Sequence, residues 1–123
     1  MPQPNRDTIR LRHMLDAARK ISKFTSSKSP SDLHSDEKLT LALVRLVEII
    51  GEAASKVSPD VQGRFPAIPW REIIGTRNRL IHGYDQVNLE ILWQIVSKDI
   101  PPLVQALQEA INKLESGGES RLF

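Results

Sequence analysis

Asp36-Glu37-Lys38-Leu39-Thr40-Leu41-Ala42-Leu43-Val44-Arg45-Leu46-Val47-Glu48-Ile49-Ile50-Gly51-Glu52-Ala53-Ala54-Ser55-Lys56-Val57 is the stretch on which the fold turns. Leu39, Leu46, Ile50, Ala53 and Val57 recur at helical intervals and lay one apolar face along an α-helix. Leu41 and Val44 lie roughly opposite, on the side shared with Glu48, Gly51 and Ser55. A helix apolar on two sides is covered on two sides, in a bundle centre or beneath a second subunit. Ser35 is the expected cap, with Asp36 and Glu37 in the first turn, where carboxylates suit the positive helix end.

Upstream, Leu11, Met14, Leu15, Ala18 and Ile21 predict a helix over residues 6–24, with Arg12, Arg19 and Lys23 mostly off its apolar stripe. The Ser-rich run from Thr25 to His34 reads as a flexible connection. Downstream, Ser58-Pro59 offers a cap and a first-turn proline for a short helix over 59–65, which Pro66-Ala67-Ile68-Pro69 ends. A further helix is expected from Trp70 to about His82, with Gly83 as a left-handed stop. The last starts near Asn88 and carries Trp93, Val96, Ile100, Leu103, Leu107 and Leu114 at mostly three-four spacing, kinked at Pro101-Pro102. Alternating β patterns are absent and aromatics are 5%. The fold class predicted is all-α: an up-and-down bundle of four to five helices, one domain over residues 1–115 with a flexible tail at 116–123.

The 123 residues suit one domain, and 40% apolar content suffices for its core. No cysteine is present, which removes disulfides, thiolate metal sites and a cysteine nucleophile. A polar start and the lack of any run of 18 apolar residues predict a soluble, unexported, cytoplasmic protein. The net charge of +2 hides an asymmetry: residues 1–28 carry seven Lys/Arg against two Asp, the remaining 95 ten against thirteen. Such a cationic stripe suits a phosphate-rich partner or is simply a solvated helix face.

Arg77-Asn78-Arg79-Leu80-Ile81-His82-Gly83-Tyr84 carries the chemistry. On a continuous helix at about 100° per residue, Arg77 falls within about 60° of Trp70, Ile74 and Ile81, inside the apolar stripe. A guanidinium there needs a partner, either a carboxylate such as Glu48 or Glu52 or a ligand phosphate. His82, about 140° round and roughly 7.5 Å further along, would not touch Arg77 but can share a cleft with it. A histidine at a helix end serves as a cap, or as a group that titrates near neutrality.

The segment resembles the R-x4-H motif of HEPN domains, and R-x4-H-x-Y is the form found in the HepT-like toxins of HEPN/MNT toxin–antitoxin pairs. Leu11–Asp16, Leu46–Ala54, Ile68–Gly75 and Leu89–Gln94 are also similar to that family, so the likeness spans residue 6 to about 115. The resemblance implies a HEPN-like homodimer and a metal-independent endoribonuclease with a cleft between subunits, the toxin of a type VII pair. The implied partner is an MNT-type nucleotidyltransferase antitoxin that adds AMP to the motif tyrosine, here Tyr84, the only tyrosine in the chain.

In that reading the RNA 2′-hydroxyl attacks the neighbouring phosphorus, so the protein supplies proton transfer and stabilises charge on the phosphorane. His82 would move protons, Arg77 would hold phosphate oxygens, and Asn78 would orient the phosphate or His82. Arg79 would face solvent or substrate, and Glu48 would set Arg77 or His82. No cofactor is expected. His13, His34 and His82 are scattered without metal-ligand spacing, and no nucleophile elbow, Walker loop or dinucleotide fingerprint is present. The alternatives are a non-catalytic nucleotide- or substrate-binding partner of a nucleotidyltransferase and a plain helical dimerisation domain. No membrane association is expected.

Overall fold

A computed structural model describes the backbone of residues 4–82 and 86–120 and the side chains of residues 6–81 and 86–116. Helix α1 (Pro4–Thr25) buries Leu11, Met14, Leu15, Ala18 and Ile21, the stripe read from the sequence. It packs on α3 (Glu37–Ser55) and on α8 (Ile100–Ser120). Polar contacts fix its direction. Arg12 meets Glu115 and Arg19 donates to Gln108 Oε1 at 2.6 Å, so α1 and α8 run antiparallel. At its start Asp7, only 6% exposed, accepts from the Ser58 amide (2.9 Å) and hydroxyl (2.7 Å) just beyond α3. That carboxylate ties α1 to the cap of α4 (Pro59–Arg64), where the Ser58 hydroxyl also accepts from the Val61 amide.

The connection expected to be flexible between α1 and α3 contains a helix, α2 (Pro30–Ser35). Ser29 donates its amide and hydroxyl to the Asp32 carboxylate, at 2.7 and 3.1 Å. The backbone amide first, and the hydroxyl second, hold the Asp32 carboxyl below the usual range. Leu33 is buried, and its carbonyl accepts from Thr40 on α3 at 2.8 Å. Composition marked this stretch as a linker because six residues show too little periodicity to read. The cap of α3 is Asp36, which accepts from Leu39, rather than Ser35, which ends α2.

The helix expected from Trp70 to His82 is two short helices, α5 (Trp70–Ile74) and α6 (Thr76–Leu80), parted at Gly75. Beyond Leu80 the chain is extended: β1 (Ile81–His82) pairs antiparallel with β2 (Gln86–Val87), Ile81 opposite Val87 and His82 opposite Gln86. This two-residue pairing is the one departure from an all-α fold among the described residues. Asn88 closes the hairpin through its amide to Leu80 O (2.8 Å) and caps α7 (Leu89–Gln94) through its side chain to the Ile91 amide (3.0 Å).

The final helix starts at the place predicted and passes through a π-helical stretch, Ile95–Asp99, before α8. Pro101 and Pro102 lack amide hydrogens and follow after Ile100, so the disturbance expected there takes the form of this π stretch. Helix α8 runs to Ser120, beyond the expected end at Glu115, and residues 121–123 lie outside the described chain. No described helix is long and apolar enough to cross a membrane.

The Asp7–Ser58 tie yields a test. Asp7→Ala is expected to cost about 1–3 kcal/mol, because it strands a partly buried backbone amide. The measurement is urea unfolding, with an unchanged dependence on urea concentration.

Candidate functional site

Gly75 decides where the basic motif points. Its amide donates to Arg71 O at 2.9 Å and its carbonyl accepts from Asn78 at 3.1 Å, so the chain turns between α5 and α6 without continuing one regular helix. The helical wheel therefore loses its phase at residue 75. Thr76 and Leu80, one turn apart, face the core, and Arg77, Asn78 and Arg79 between them are exposed. Arg77 is not the buried cation expected: its side chain is 71% exposed. A guanidinium that stays in water needs no ligand to offset burial.

The carboxylate partner anticipated for Arg77 is present. Its Nε lies 3.2 Å from Glu48 Oε2, and Arg45 approaches the same carboxylate at 3.8 Å from one turn earlier on α3. These groups line an open groove of about 410 Å3 between α3 and the α5–α6 pair, together with Glu52, Ser55 and Ile74. Gly51 forms its floor. A Cβ at that position would stand 3.2 Å from Ile73 O, so the missing side chain lets α5 approach α3 closely.

That contact corrects part of the expected interface. Gly51 serves an approach within the chain, and Val44 is 9% exposed in the chain's own core. Leu41, at 59% exposure, and Ser55 remain open, on one stripe with Arg45, Glu48 and Glu52.

His82 is on β1, two residues beyond the end of α6, so it does not cap a helix terminus. The helical separation of Arg77 and His82 is replaced by three residues of helix and two of strand, which keeps both on one short unit. The side chain of His82, and all of Gly83 and Tyr84, lie outside the described residues, as does the glycine stop expected at Gly83. Arg79 lines a different cavity, about 260 Å3, with Glu72 and Asp99 near it. Among the described residues no cluster of three or more His, Asp or Glu gathers as metal ligands. The cationic stripe of α1 is exposed at Arg6, Arg12, Arg19, Lys20 and Lys23, with Asp16 as its one exposed acid.

Sequence reading missed the wall made by α2. His34, Trp93 and Lys98 meet in a groove of about 380 Å3 between α2 and the α7 region. Three-four spacing puts Trp93 in the apolar seam, and the signal in the sequence for its groove is the recurrence of Glu90, Trp93, Gln94, Ser97 and Lys98 on one helical face.

The family model that matches this chain, over residues 14–110, is described as ribonuclease HepT-like. A "Probable ribonuclease HepT" of Thermococcus cleftensis is 39% identical over 93 residues, 76% of this chain and 84% of that protein. A protein of Caldanaerobacter subterraneus subsp. tengcongensis, provisionally named an RNase, is 36% identical over 103 residues, 84% of this chain and 92% of its own length. A third, from Methanocaldococcus jannaschii and also provisionally named an RNase, is 33% identical over 95 residues, 77% and 87% of the two chains. No solved structure matches. The residues matched by the family model include both α3, with its Glu48, and the complete motif from Arg77 to Tyr84, and the chain belongs to the HepT-like (HEPN) ribonuclease family.

Proposed function

We propose that this protein is a metal-independent endoribonuclease and the toxin of a type VII HEPN/MNT toxin–antitoxin pair. The observation that carries the reading is Arg77, an exposed guanidinium held by Glu48 at the edge of a groove, five residues before the motif histidine of a HepT-like chain. A fixed but solvated cation can exchange water for phosphate oxygens without first being dug out of a core. His82 transfers protons between the RNA 2′-hydroxyl, the phosphorane and the departing 5′-oxygen, with Asn78 donating a hydrogen bond to the phosphate or to His82. Glu48 acts through Arg77 by restricting where the guanidinium points.

A base and an acid are needed on opposite sides of an in-line displacement, and two copies of His82 in a homodimer supply both. Leu41 and Ile74, 59% and 42% exposed, are apolar surface on the groove side of the molecule that a second subunit would cover. Control is assigned to Tyr84: an AMP group attached by a nucleotidyltransferase antitoxin brings a phosphate to the donors that RNA would use, and its adenosine obstructs the cleft.

His82→Ala and Arg77→Ala are each expected to lower RNA cleavage in chelator by at least about a hundredfold, with circular dichroism unchanged. Full cleavage by both variants would remove them from the mechanism. Chelator sensitivity of the unaltered protein would remove the metal-free premise, and an intact RNA substrate would favour a nucleotide-binding role.

Glu48→Gln is expected to lower kcat while changing stability by less than about 1 kcal/mol, because the Arg77 side of the pair is open to water and screened although Glu48 is half-buried. A larger loss of stability would make the pair structural. For assembly, light scattering at high micromolar concentration is expected to give twice the chain mass, falling to one chain in Leu41→Asp. Tyr84→Phe is expected to stay active and to gain no AMP mass with the partner and ATP; an undiminished mass gain would place the modification elsewhere.

A further inference from the structure

The two tryptophans of this chain stand in opposite circumstances. Trp70 is 9% exposed, and its Nε1 donates to two carbonyls, Gln62 O and Phe65 O, both at 3.1 Å. Trp93 is half-buried, with no acceptor for its indole N–H among the described residues, and it lines the groove between α2 and α7. A large aromatic in a mostly apolar groove, with two basic side chains in its lining, suits a nucleotide's flat base and its phosphate.

We propose that this groove is a subsite for one nucleotide of single-stranded RNA, with the base stacked on Trp93 and the adjoining phosphate near Lys98 and His34. The choice of RNA rests on the ribonuclease reading above. Stacking suits an unpaired base of any identity, because every base offers a π face. Lys98 and His34 approach from opposite walls and are both exposed, so a phosphate can reach them. Glu90, the carboxylate of the same groove, opposes a phosphate at its own end. It directs the base there, where exocyclic amines can donate to it. Gln94 and Ser97 add a donor and an acceptor, although the Ser97 hydroxyl already donates to Trp93 O at 2.6 Å.

The walls are fixed in advance. Leu33 is buried beside His34, and the Thr40 hydroxyl holds its carbonyl from α3, so α2 forms a set surface for a ligand to meet. The groove also begins at Leu89, three residues after Gln86, the partner of His82 across the hairpin. A base held at Trp93 thus keeps the RNA close to the strand that bears the motif histidine, without occupying the Arg77 groove.

The probe is a single-stranded 2′-O-methyl RNA octamer, which has no 2′-hydroxyl to attack its own phosphates. Titration is expected to quench tryptophan emission in the unaltered protein, and the quench disappears in Trp93→Leu with roughly tenfold or greater loss of affinity by polarisation of a labelled octamer. Trp93→Phe keeps an aromatic face and is expected to bind within about threefold, which separates stacking from packing against the core. Lys98→Gln, an exposed change, is expected to flatten the dependence of log Kd on log salt by about 0.7, one single-strand phosphate. Unchanged affinity in Trp93→Leu overturns the subsite, as does quenching by ATP at lower concentration than by the octamer, which would assign the groove to a free nucleotide. Because binding of this probe needs no cleavage, intact natural RNA together with a Trp93-dependent quench defeats the nuclease reading alone. Active cleavage with an unaltered KM in Trp93→Leu defeats the subsite alone.

Discussion

Between α3 and α5 there is room for a hydrogen at residue 51 and little more, since a methyl group would meet Ile73 O at 3.2 Å. Much of the candidate site follows from that clearance. With α5 against α3, the turn at Gly75 delivers α6 beside the middle of α3, and the first exposed residue of α6 finds Glu48 across the groove. A larger residue at 51 would push α5 outward and take Arg77 with it. Backbone clearance at one position and charge placement at another are here one constraint.

The long helices were legible because three- and four-residue spacing of apolar side chains maps directly onto burial. Leu11, Met14, Ile50 and Leu107 fall where that rule puts them. The rule failed over residues 70–82 for an identifiable reason. It assumes one helix with constant phase, and Gly75 resets the phase, so Arg77 moved from the apolar stripe to the surface and His82 from a helix end to a strand. Helix α2 was hidden by its own capping residues, since Ser29 and Asp32 are common in loops and at helix starts alike. Of the site, the need of Arg77 for a carboxylate was readable only as a choice between Glu48 and Glu52, which the structure resolves to Glu48, whereas the pairing of α2 with Trp93 depends on tertiary contacts that no local pattern encodes.

Electrostatics divides the molecule unevenly. Buried Asp7 neutralises nothing at the surface, because it is committed to Ser58, so the exposed side of α1 is more cationic than a count of charges over residues 1–28 suggests. Arg12 and Arg19 are engaged with α8, while Lys20 and Lys23 make no ion pair among the described residues. The overall charge of +2 is thus a poor guide to what an approaching polyanion meets.

In the π stretch the Ile100 amide reaches back five residues to Ile95 O, which places one residue more in that turn than an α-helix holds. In genetic terms this is the geometry of a single inserted codon. Deleting one residue between Ile95 and Asp99 would restore regular winding and leave the helix unbroken. Because the wide turn absorbs that residue, five residues there rotate about as far as four in an α-helix, so α7 would keep its phase relative to α8 and Trp93 would still face α2. A relative one residue shorter here can therefore seat its motif segment on the bundle in the same way, and a one-residue gap in this helix is a change the fold absorbs locally.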